Sequence, residues 1–371
     1  MTTQASRGLQ PARCSAQAKA CGSPRLAFRS TQAIVSGLCL LYLGVMIGCA
    51  RPQGVLFPAI DSPQVWPPSP DQPRIKLLGT LADSRDLKAA ESGMEVFRAT
   101  LRGSRPPIKF SGPHAVAIRS PGVLAVADGA GSGVHVIDLN DRTHRLVTGF
   151  ADERFAAPIG VTWAGQRLFV ADAQRHEVIE LDAGGGFHQR FGGEVLNRPV
   201  GIAYVAERNQ LYVVDGGAHV LNVFDLSGML VKTVGRRGSA PGEFNFPTHI
   251  CCAGNRLLVA DSGSFRVQLL DLDGACLKTI GQKGDGAGDF SLPKGVALDS
   301  EGHIYVVDAQ FENVQIFNDA GQLLMAFGEE GSRPGRFSLP AGLAIDDQDR
   351  IWVADSGNRR LQVFAYMRTS S

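Results

Sequence analysis

The chain has 371 residues, of which 44% are hydrophobic and 20% charged, a composition typical of a globular protein. The formal net charge of +1 hides an asymmetry: the first 48 residues hold five basic residues and no acidic one, and the remainder carries 32 basic against 36 acidic residues. A mildly acidic remainder has no overall attraction for nucleic acid, which argues against a nucleic-acid-binding protein.

An almost unbroken apolar run, Ala33–Gly48, follows the basic start of the chain. It is short for a bilayer-spanning helix and suits the core of a signal peptide covering residues 1–48. The sequence Met46-Ile47-Gly48-Cys49 looks like a bacterial lipobox, which implies cleavage before Cys49 and a lipid on its thiol. An uncleaved anchor helix is the alternative. Both interpretations place the remainder outside the cytoplasmic membrane, and Ala50 after the cysteine favours the periplasmic side of an outer membrane.

The next segment, residues 49–73, is rich in proline. Seven prolines lie between Arg51 and Pro73. Such a stretch adopts an extended polyproline II conformation of about 3.1 Å per residue. We predict a semi-rigid tether that holds the following domain away from a lipid surface. The alternative is an irregular tail packed on that domain, with Trp66 as the side chain that docks.

A helix is predicted over residues 83–101, whose hydrophobic pattern differs from that of the surrounding segments. Apolar side chains recur there at intervals of three and four residues, at Leu87, Ala90, Met94, Phe97 and Leu101. This spacing forms one stripe of an amphipathic helix, and the stripe must be buried against a neighbouring surface.

Six repeats fill the remainder of the chain. Each repeat has short runs of alternating apolar and polar residues, typical of strands, and none has the 3.6-residue period of a helical solenoid. A Val-Asp or Ala-Asp pair ends the second run of each repeat, at Asp128, Asp172, Asp215, Asp261, Asp308 and Asp355. A proline opens each repeat, at Pro113, Pro158, Pro199, Pro247, Pro293 and Pro340. Four strands per period of about 40–50 residues predict an all-β, six-bladed β-propeller.

The sixth repeat lacks its fourth strand, because the sequence ends soon after Phe364. Ile75–Gly79 has the pattern of the fourth strands Cys276–Gly281 and Leu323–Gly328. We therefore predict that Ile75–Gly79 pairs with the last blade and closes the ring, within a propeller domain spanning residues 74–371. The predicted helix then connects blade 6 to blade 1. It is either a decorated loop or a lid over one sector of the central channel.

The repeats resemble the NHL repeat over Gly112–Phe364. The last unit carries the motif as Pro340-Ala341-Gly342-Leu343-Ala344, Trp352-Val353-Ala354-Asp355 and Asn358 to Phe364. Connectors of the form Gly-x-x-Gly-x-Phe are the most specific element, at Gly238–Phe244, Gly284–Phe290 and Gly331–Phe337. The first two units depart from the motif in these loops. The resemblance implies a six-bladed propeller lipoprotein. It also implies similarity to lyases whose channel histidines hold zinc and to lactonases that hold calcium.

Candidate binding residues lie on the face formed by the connectors that enter each innermost strand and by the loops after each second strand, here called the connector face. His114, His249 and Lys294 stand at or next to the start of innermost strands, where the other residues are mostly apolar or glycine. The connector loops add three basic residues, Arg236, Arg237 and Arg336. The six repeating aspartates are interpreted as turn formers that accept backbone N–H bonds.

A metal site in the channel is the alternative to a binding face. His114 and His249 are its weak candidate ligands, but a third imidazole is missing, whereas catalytic zinc usually has three protein ligands. We therefore predict no catalytic residue, no metal and no cofactor.

The predicted function is a non-catalytic, envelope-anchored binding or scaffold propeller that docks a protein, peptide or glycan on its connector face. A metal-dependent lyase or lactonase-like enzyme is the alternative. RNA binding is set aside, because it requires a basic face with stacking aromatic side chains.

Overall fold

The computed structural model describes residues 56–57, 64–88, 106–119 and 122–368. Within these ranges the protein is all-β, with one 3₁₀ turn at Ser262–Ser264. No helix in these ranges has the length and hydropathy needed to cross a bilayer. Cys49, the predicted signal segment and residues 89–101 of the predicted helix and lid lie outside the described residues. The described start of that prediction, residues 83–88, is not helical: Asp83 forms an isolated antiparallel bridge with Lys109, and a turn and a bend follow.

Six antiparallel sheets form the blades of a propeller, as predicted. We call the first strand of each blade the inner strand and the fourth the outer strand. Blades 1 to 5 comprise Pro113–Arg119, Val123–Asp128, Gly133–Asp138 and Thr143–Val147; Pro158–Ala164, Arg167–Asp172, Glu177–Asp182 and Phe187–Phe191; Pro199–Val205, Gln210–Asp215, Val220–Asp225 and Leu230–Val234; Pro247–Ala253, Arg256–Asp261, Arg266–Asp271 and Cys276–Ile280; and Pro293–Leu298, Ile304–Asp308, Asn313–Phe317 and Leu323–Phe327. A two-stranded hairpin, Gly149–Phe150 with Glu153–Arg154, lies between blades 1 and 2.

Blade 6 draws its strands from both ends of the described chain. Pro340–Ile345, Arg350–Asp355 and Arg360–Tyr366 are followed in the sheet by Ile75–Leu81, the closing strand. The closing strand runs antiparallel to Arg360–Tyr366, so that Leu77 pairs with Phe364 and Leu81 with Leu361. The predicted ring closure is confirmed, with a strand two residues longer than Ile75–Gly79.

The ring is complete because inner strands contact each other all the way round. Each inner strand contacts those of both neighbouring blades, and the inner strand of blade 6 contacts that of blade 1. The six innermost strands therefore surround one axial channel. All starts of inner strands lie on the connector face.

The hydrophobic core is divided between the blades. In the described part of the chain, six apolar clusters occupy the six interfaces between adjacent blades. Successive residues of a strand point to opposite faces of its sheet. Leu211 therefore packs towards blade 2 and Tyr212 towards blade 4. This sharing explains why the second and third strands of each blade are apolar on both faces.

A fifth strand, absent from the sequence prediction, extends blade 6. Val65–Trp66 pairs with the closing strand. The Trp66 ring packs 5.8 Å from both the Phe327 and the Phe364 rings. The predicted tether therefore lies against the propeller at Val65–Trp66, with Trp66 docked as the alternative interpretation expects, whereas residues 68–72 are exposed.

Candidate functional site

The repeating aspartates hold the connector face together. All six side chains are fully buried at the ends of the second strands. Asp308 is typical: it accepts N–H bonds from Gln310 and Phe311 in the turn that follows, and from Ser291 and Leu292 in the preceding connector. The predicted role as turn formers is confirmed. The bonds to the connector, which lies 16 or 17 residues earlier in the chain, were not predicted.

Buried arginine and glutamine side chains fix the longer connectors. Arg360 forms an ion pair of 2.8 Å with Asp355 and donates to the carbonyl oxygens of Ser332, Arg333 and Arg336. Gln362 donates to the Asp355 carboxylate and to the Arg336 carbonyl. These residues are the Arg and Gln of the Asn-x-Arg-x-Gln motif, so the motif serves to order the connector. The aspartates and the motif residues are committed to the fold rather than to chemistry.

Two histidines meet at the entrance of the channel, on the connector face. His114 comes from blade 1 and His249 from blade 4, which are opposite each other in a ring of six. Their rings stack with centroids 5.1 Å apart and an interplanar angle of 15°. His249 is only 7% exposed, and neither of its ring nitrogens, nor Nδ1 of His114, has a hydrogen-bond partner of good geometry. We call this place the channel mouth.

His249 occupies a position that is otherwise reserved for small residues. The third residue of the other inner strands is Ala115, Gly160, Gly201, Gly295 or Gly342. A Cβ at Gly295 would lie 2.6 Å from the Ala341 carbonyl oxygen of the next inner strand. The strands are thus closest together at this level. Five small residues permit that approach, and His249 alone extends a large side chain from this level.

Within the described ranges, the charged side chains that act on the mouth are positive. Burial lowers the pKa of His114 to about 4, and the nearby cations Lys294 and Arg198 act in the same direction against a main-chain hydrogen bond with Ile159. Burial, His114 and Lys294 hold the pKa of His249 well below its usual value. Burial also lowers the pKa of Lys294. Both imidazoles are therefore neutral at pH 7.

Lys294 completes the mouth without a counter-ion. In the described part of the chain it forms no ion pair or hydrogen bond, although it is half-buried.

Arg198, which precedes the inner strand of blade 3, was missed by the sequence analysis. The sequence does distinguish this residue: Arg198 stands directly before the opening proline, where the other blades have glycine, alanine, leucine or phenylalanine.

Two apolar side chains stand at the rim of the mouth. Phe246 and Leu339 directly precede the opening prolines of blades 4 and 6, and they are 50% and 56% exposed. Both have positive φ angles, an uncommon conformation for such residues. A side chain from the preceding blade accepts a hydrogen bond from each main-chain N–H, His219 for Phe246 and Glu312 for Leu339. The fold thus holds two apolar side chains out to solvent.

Two cavities lie along the channel behind the histidines. A cavity of about 40 Å³ adjoins His249. Beyond it, a cavity of about 250 Å³ occupies the opposite end of the channel, where Trp163, Tyr204 and Cys252 are among its lining residues. The mouth is therefore a shallow site, closed from below by the stacked rings.

The predicted arginines do not join the mouth. Arg236 pairs with Glu243, and Arg336 pairs with Glu329, each within its own connector. Arg237 lies in the same connector as Arg236 and contributes to the lowered pKa of His219. Of the six predicted binding residues, the structure brings together His114, His249 and Lys294.

The mouth does not fit a metal ion of the kind implied by the resemblance to lyases and lactonases. The lone pair of an imidazole nitrogen lies in the plane of its ring, so two stacked rings do not direct their lone pairs at one ion. Lys294, whose charge acts on both imidazoles, is a cation and would repel a metal ion. Among the described residues no group of three or more His, Cys, Asp or Glu side chains has metal-binding geometry.

Comparison with known proteins identifies the repeat. A family model of the NHL repeat matches residues 337–364, which run from the last connector to the third strand of blade 6. The last repeat of the chain is similar to an NHL repeat. The NHL repeat-containing protein 2 of Bos taurus is 28% identical over an alignment covering 46% of this chain. The alignment spans only 28% of the length of that bovine protein.

Solved propeller structures share the fold at low sequence identity. A gluconolactonase from Xanthomonas campestris has a TM-score of 0.58 at 18% identity, covering 86% of this chain and 99% of its own. An auxiliary nutrient binding protein from Bacteroides ovatus has a TM-score of 0.55 at 13% identity, covering 70% of each chain. A streptogramin B lyase has a TM-score of 0.51 at 10% identity, covering 71% of this chain and 95% of its own. These likenesses establish the propeller fold alone.

Proposed function

We propose that this protein is a non-catalytic binding propeller of the cell envelope, which docks a protein, peptide or glycan on its connector face. The observation that carries the proposal is the channel mouth. It presents three buried imidazole nitrogens that lack a hydrogen-bond partner of good geometry, beside two exposed apolar side chains and a lysine ammonium that has no partner in the described structure. Unsatisfied polar atoms next to exposed apolar surface are typical of a binding site rather than of a folded interior.

Among the residues that the structure describes, no carboxylate acts on the mouth imidazoles, which favours binding over catalysis. Acid–base catalysis needs a titratable group within reach of the substrate, with a pKa near the working pH. The six aspartates at the ends of the second strands accept structural hydrogen bonds, and both mouth imidazoles titrate well below pH 7. The auxiliary nutrient binding proteins share this fold and offer a precedent for binding, while the lyase and the gluconolactonase offer the enzyme alternative.

Site-specific photo-crosslinking in the native envelope tests the proposed face. A photo-reactive residue in place of Leu339 at the rim is expected to give ligand adducts. The same residue in place of Leu277, which is equally exposed on the outer strand of blade 4, is expected to give at least five-fold fewer. Adducts are detected by gel mobility and mass spectrometry.

Equal adduct yields at the two positions would contradict the proposed face. The enzyme alternative has its own readout, metal analysis of the purified full-length protein. One equivalent of zinc or calcium that is lost on replacing His114 and His249 by alanine would favour the enzyme.

The proposed envelope location depends on Cys49. We expect Cys49→Ala to move most of the protein from the membrane fraction to the soluble fraction, because the variant cannot carry the thiol-linked lipid that would anchor it. Mass spectrometry of the unaltered protein is expected to show a lipidated N-terminal cysteine. Cys276→Ala is the matched control, since Cys276 is a half-buried free cysteine of the propeller. An unchanged membrane fraction for Cys49→Ala would contradict the lipid anchor.

A further inference from the structure

The charge of the channel mouth indicates what kind of ligand it accepts. Four blades contribute Arg198, Lys294 and the two histidines, and in the described part of the chain the charged residues that lower the imidazole pKa values, Lys294 and Arg198, are cations. Partly burying the Lys294 ammonium without a counter-charge is costly. A negatively charged group that entered the mouth would remove this cost, so the site is built for an anion.

The hydrogen-bonding groups of the mouth narrow the choice of anion. A neutral imidazole offers one N–H donor, and the Lys294 ammonium offers three. His249 is buried and neither of its ring nitrogens has a hydrogen-bond partner of good geometry, although a main-chain contact with His114 raises its pKa slightly against the effect of burial. A carboxylate accepts at both oxygens and forms strong bonds with a lysine. Its single charge and small size suit a shallow site with one half-buried lysine.

The two apolar side chains at the rim indicate which kind of molecule the bound carboxylate belongs to. Phe246 and Leu339 stand on either side of blade 5, which supplies Lys294. An anion that is attached to apolar groups can place its charge near Lys294 while its apolar groups cover these two side chains. Exposed aromatic and aliphatic side chains around a small polar centre are typical of peptide-binding surfaces.

We propose that the channel mouth binds the C-terminal carboxylate of a peptide with apolar last residues. This inference rests on the proposed function, because it names the ligand class of the same face. Lys294 and Arg198 supply the charge, the imidazoles supply N–H donors, and Phe246 and Leu339 cover the apolar side chains. A free chain end satisfies the shape of the mouth, since the stacked histidines close the channel below it.

Peptide binding to the purified full-length protein tests the proposal. The probes are a pool of fluorescent pentapeptides of mixed sequence ending in leucine with a free carboxylate, and the same pool with a C-terminal amide. By fluorescence anisotropy we expect the free-acid pool to bind at least ten-fold more tightly. Lys294→Met is expected to weaken its binding at least ten-fold. Lys294→Arg, which keeps the charge, is expected to stay within three-fold of the unaltered protein.

The matched control is Lys283→Met, on a connector of the same face. The Lys283 ammonium lies 5.1 Å from the centroid of the Phe265 ring, and we expect its replacement to change the affinity less than two-fold. Circular dichroism and melting temperature establish that each variant is folded. Should Lys294→Met fail to fold, the comparison of acid with amide on the unaltered protein still decides the question.

Three outcomes would overturn the proposal. Equal binding of the acid and amide pools would show that the carboxylate is not recognised. Inorganic phosphate that bound as tightly, with the same dependence on Lys294, would make the mouth a general oxyanion site. Binding of a glucuronic-acid disaccharide without binding of the peptide acid would assign the carboxylate to a glycan. In each case, photo-crosslinked adducts at position 339 in the envelope would still support the proposed docking face. The two proposals can therefore be contradicted independently.

Discussion

Replacing Ile75 and Leu77 together by alanine is expected to lower the free energy of unfolding by about 4 kcal/mol or more, since each buried Ile or Leu to Ala change typically costs about 2–5 kcal/mol. Ile75 is fully buried and Leu77 is 2% exposed, and both pack in the core between blades 5 and 6. Their strand also pairs with Arg360–Tyr366, which would otherwise be the exposed edge of the last blade. Urea denaturation followed by tryptophan fluorescence measures the change.

Lys76→Ala is the control for this experiment. Lys76 lies between the two apolar residues on the same strand, with its side chain on the other face of the sheet and half-buried. We expect its replacement to cost about 0.5 kcal/mol or less, as for most surface substitutions. If the double variant were no less stable than Lys76→Ala, the closing strand would not hold the ring together.

Much of the fold could be predicted because the repeat is periodic. A proline opens each inner strand and an aspartate ends each second strand, and both recur often enough to count six blades without knowing any contact. The closing strand could be found because it has the same alternation as the other outer strands. Its bounds differed by two residues, since Thr80 and Leu81 continue the pairing after a bulge between Leu77 and Gly79.

The fifth strand of blade 6 could not be predicted from local pattern. Val65–Trp66 is only two residues long and lies among prolines, which favour an extended coil. It forms a strand because the closing strand offers an unpaired edge and because Trp66 finds a place between Phe327 and Phe364. Both reasons are tertiary, and neither is visible in the sequence around Trp66.

The channel mouth was predicted in part. His114 and His249 were recognised as unusual at the start of inner strands. Their stacking depends on the angular positions of blades 1 and 4 in the closed ring, which the sequence does not encode locally. The three predicted arginines lie on the correct face but two of them pair within their own connectors, because a nearby glutamate satisfies each one. Arg198, an exposed residue, acts on His114 through its charge instead.

Asp308→Ala is expected to lower the free energy of unfolding by about 3–5 kcal/mol, because leaving each buried donor unsatisfied costs about 1–3 kcal/mol and local relaxation recovers part of the sum. The buried Asp308 carboxylate accepts four main-chain N–H bonds, at distances of 2.7–3.1 Å. Alanine removes all four acceptor contacts at once. Urea denaturation at pH 7 measures the loss.

Two further variants separate the hydrogen bonds from the charge and from the loss of side-chain atoms. Asp308→Asn keeps one carboxyl-like oxygen and nearly the same shape, so it should cost about half as much as alanine. Asp319→Ala removes an aspartate that is 70% exposed and pairs with Arg256 on the surface, and should cost about 0.5 kcal/mol or less. A loss for Asp308→Ala as small as that for Asp319→Ala would mean that water replaces the carboxylate.

The same aspartate connects the stability of the fold to the proposed binding site. Ser291 and Leu292, which it holds, directly precede the opening proline and Lys294 in the inner strand of blade 5. When this attachment is lost, the connector is free to move and Lys294 no longer has a fixed position at the channel mouth. Asp308→Asn, which remains folded, should therefore weaken binding of the peptide carboxylate, although its side chain is buried away from the ligand. Retained affinity in this variant would show that the inner strand alone positions Lys294.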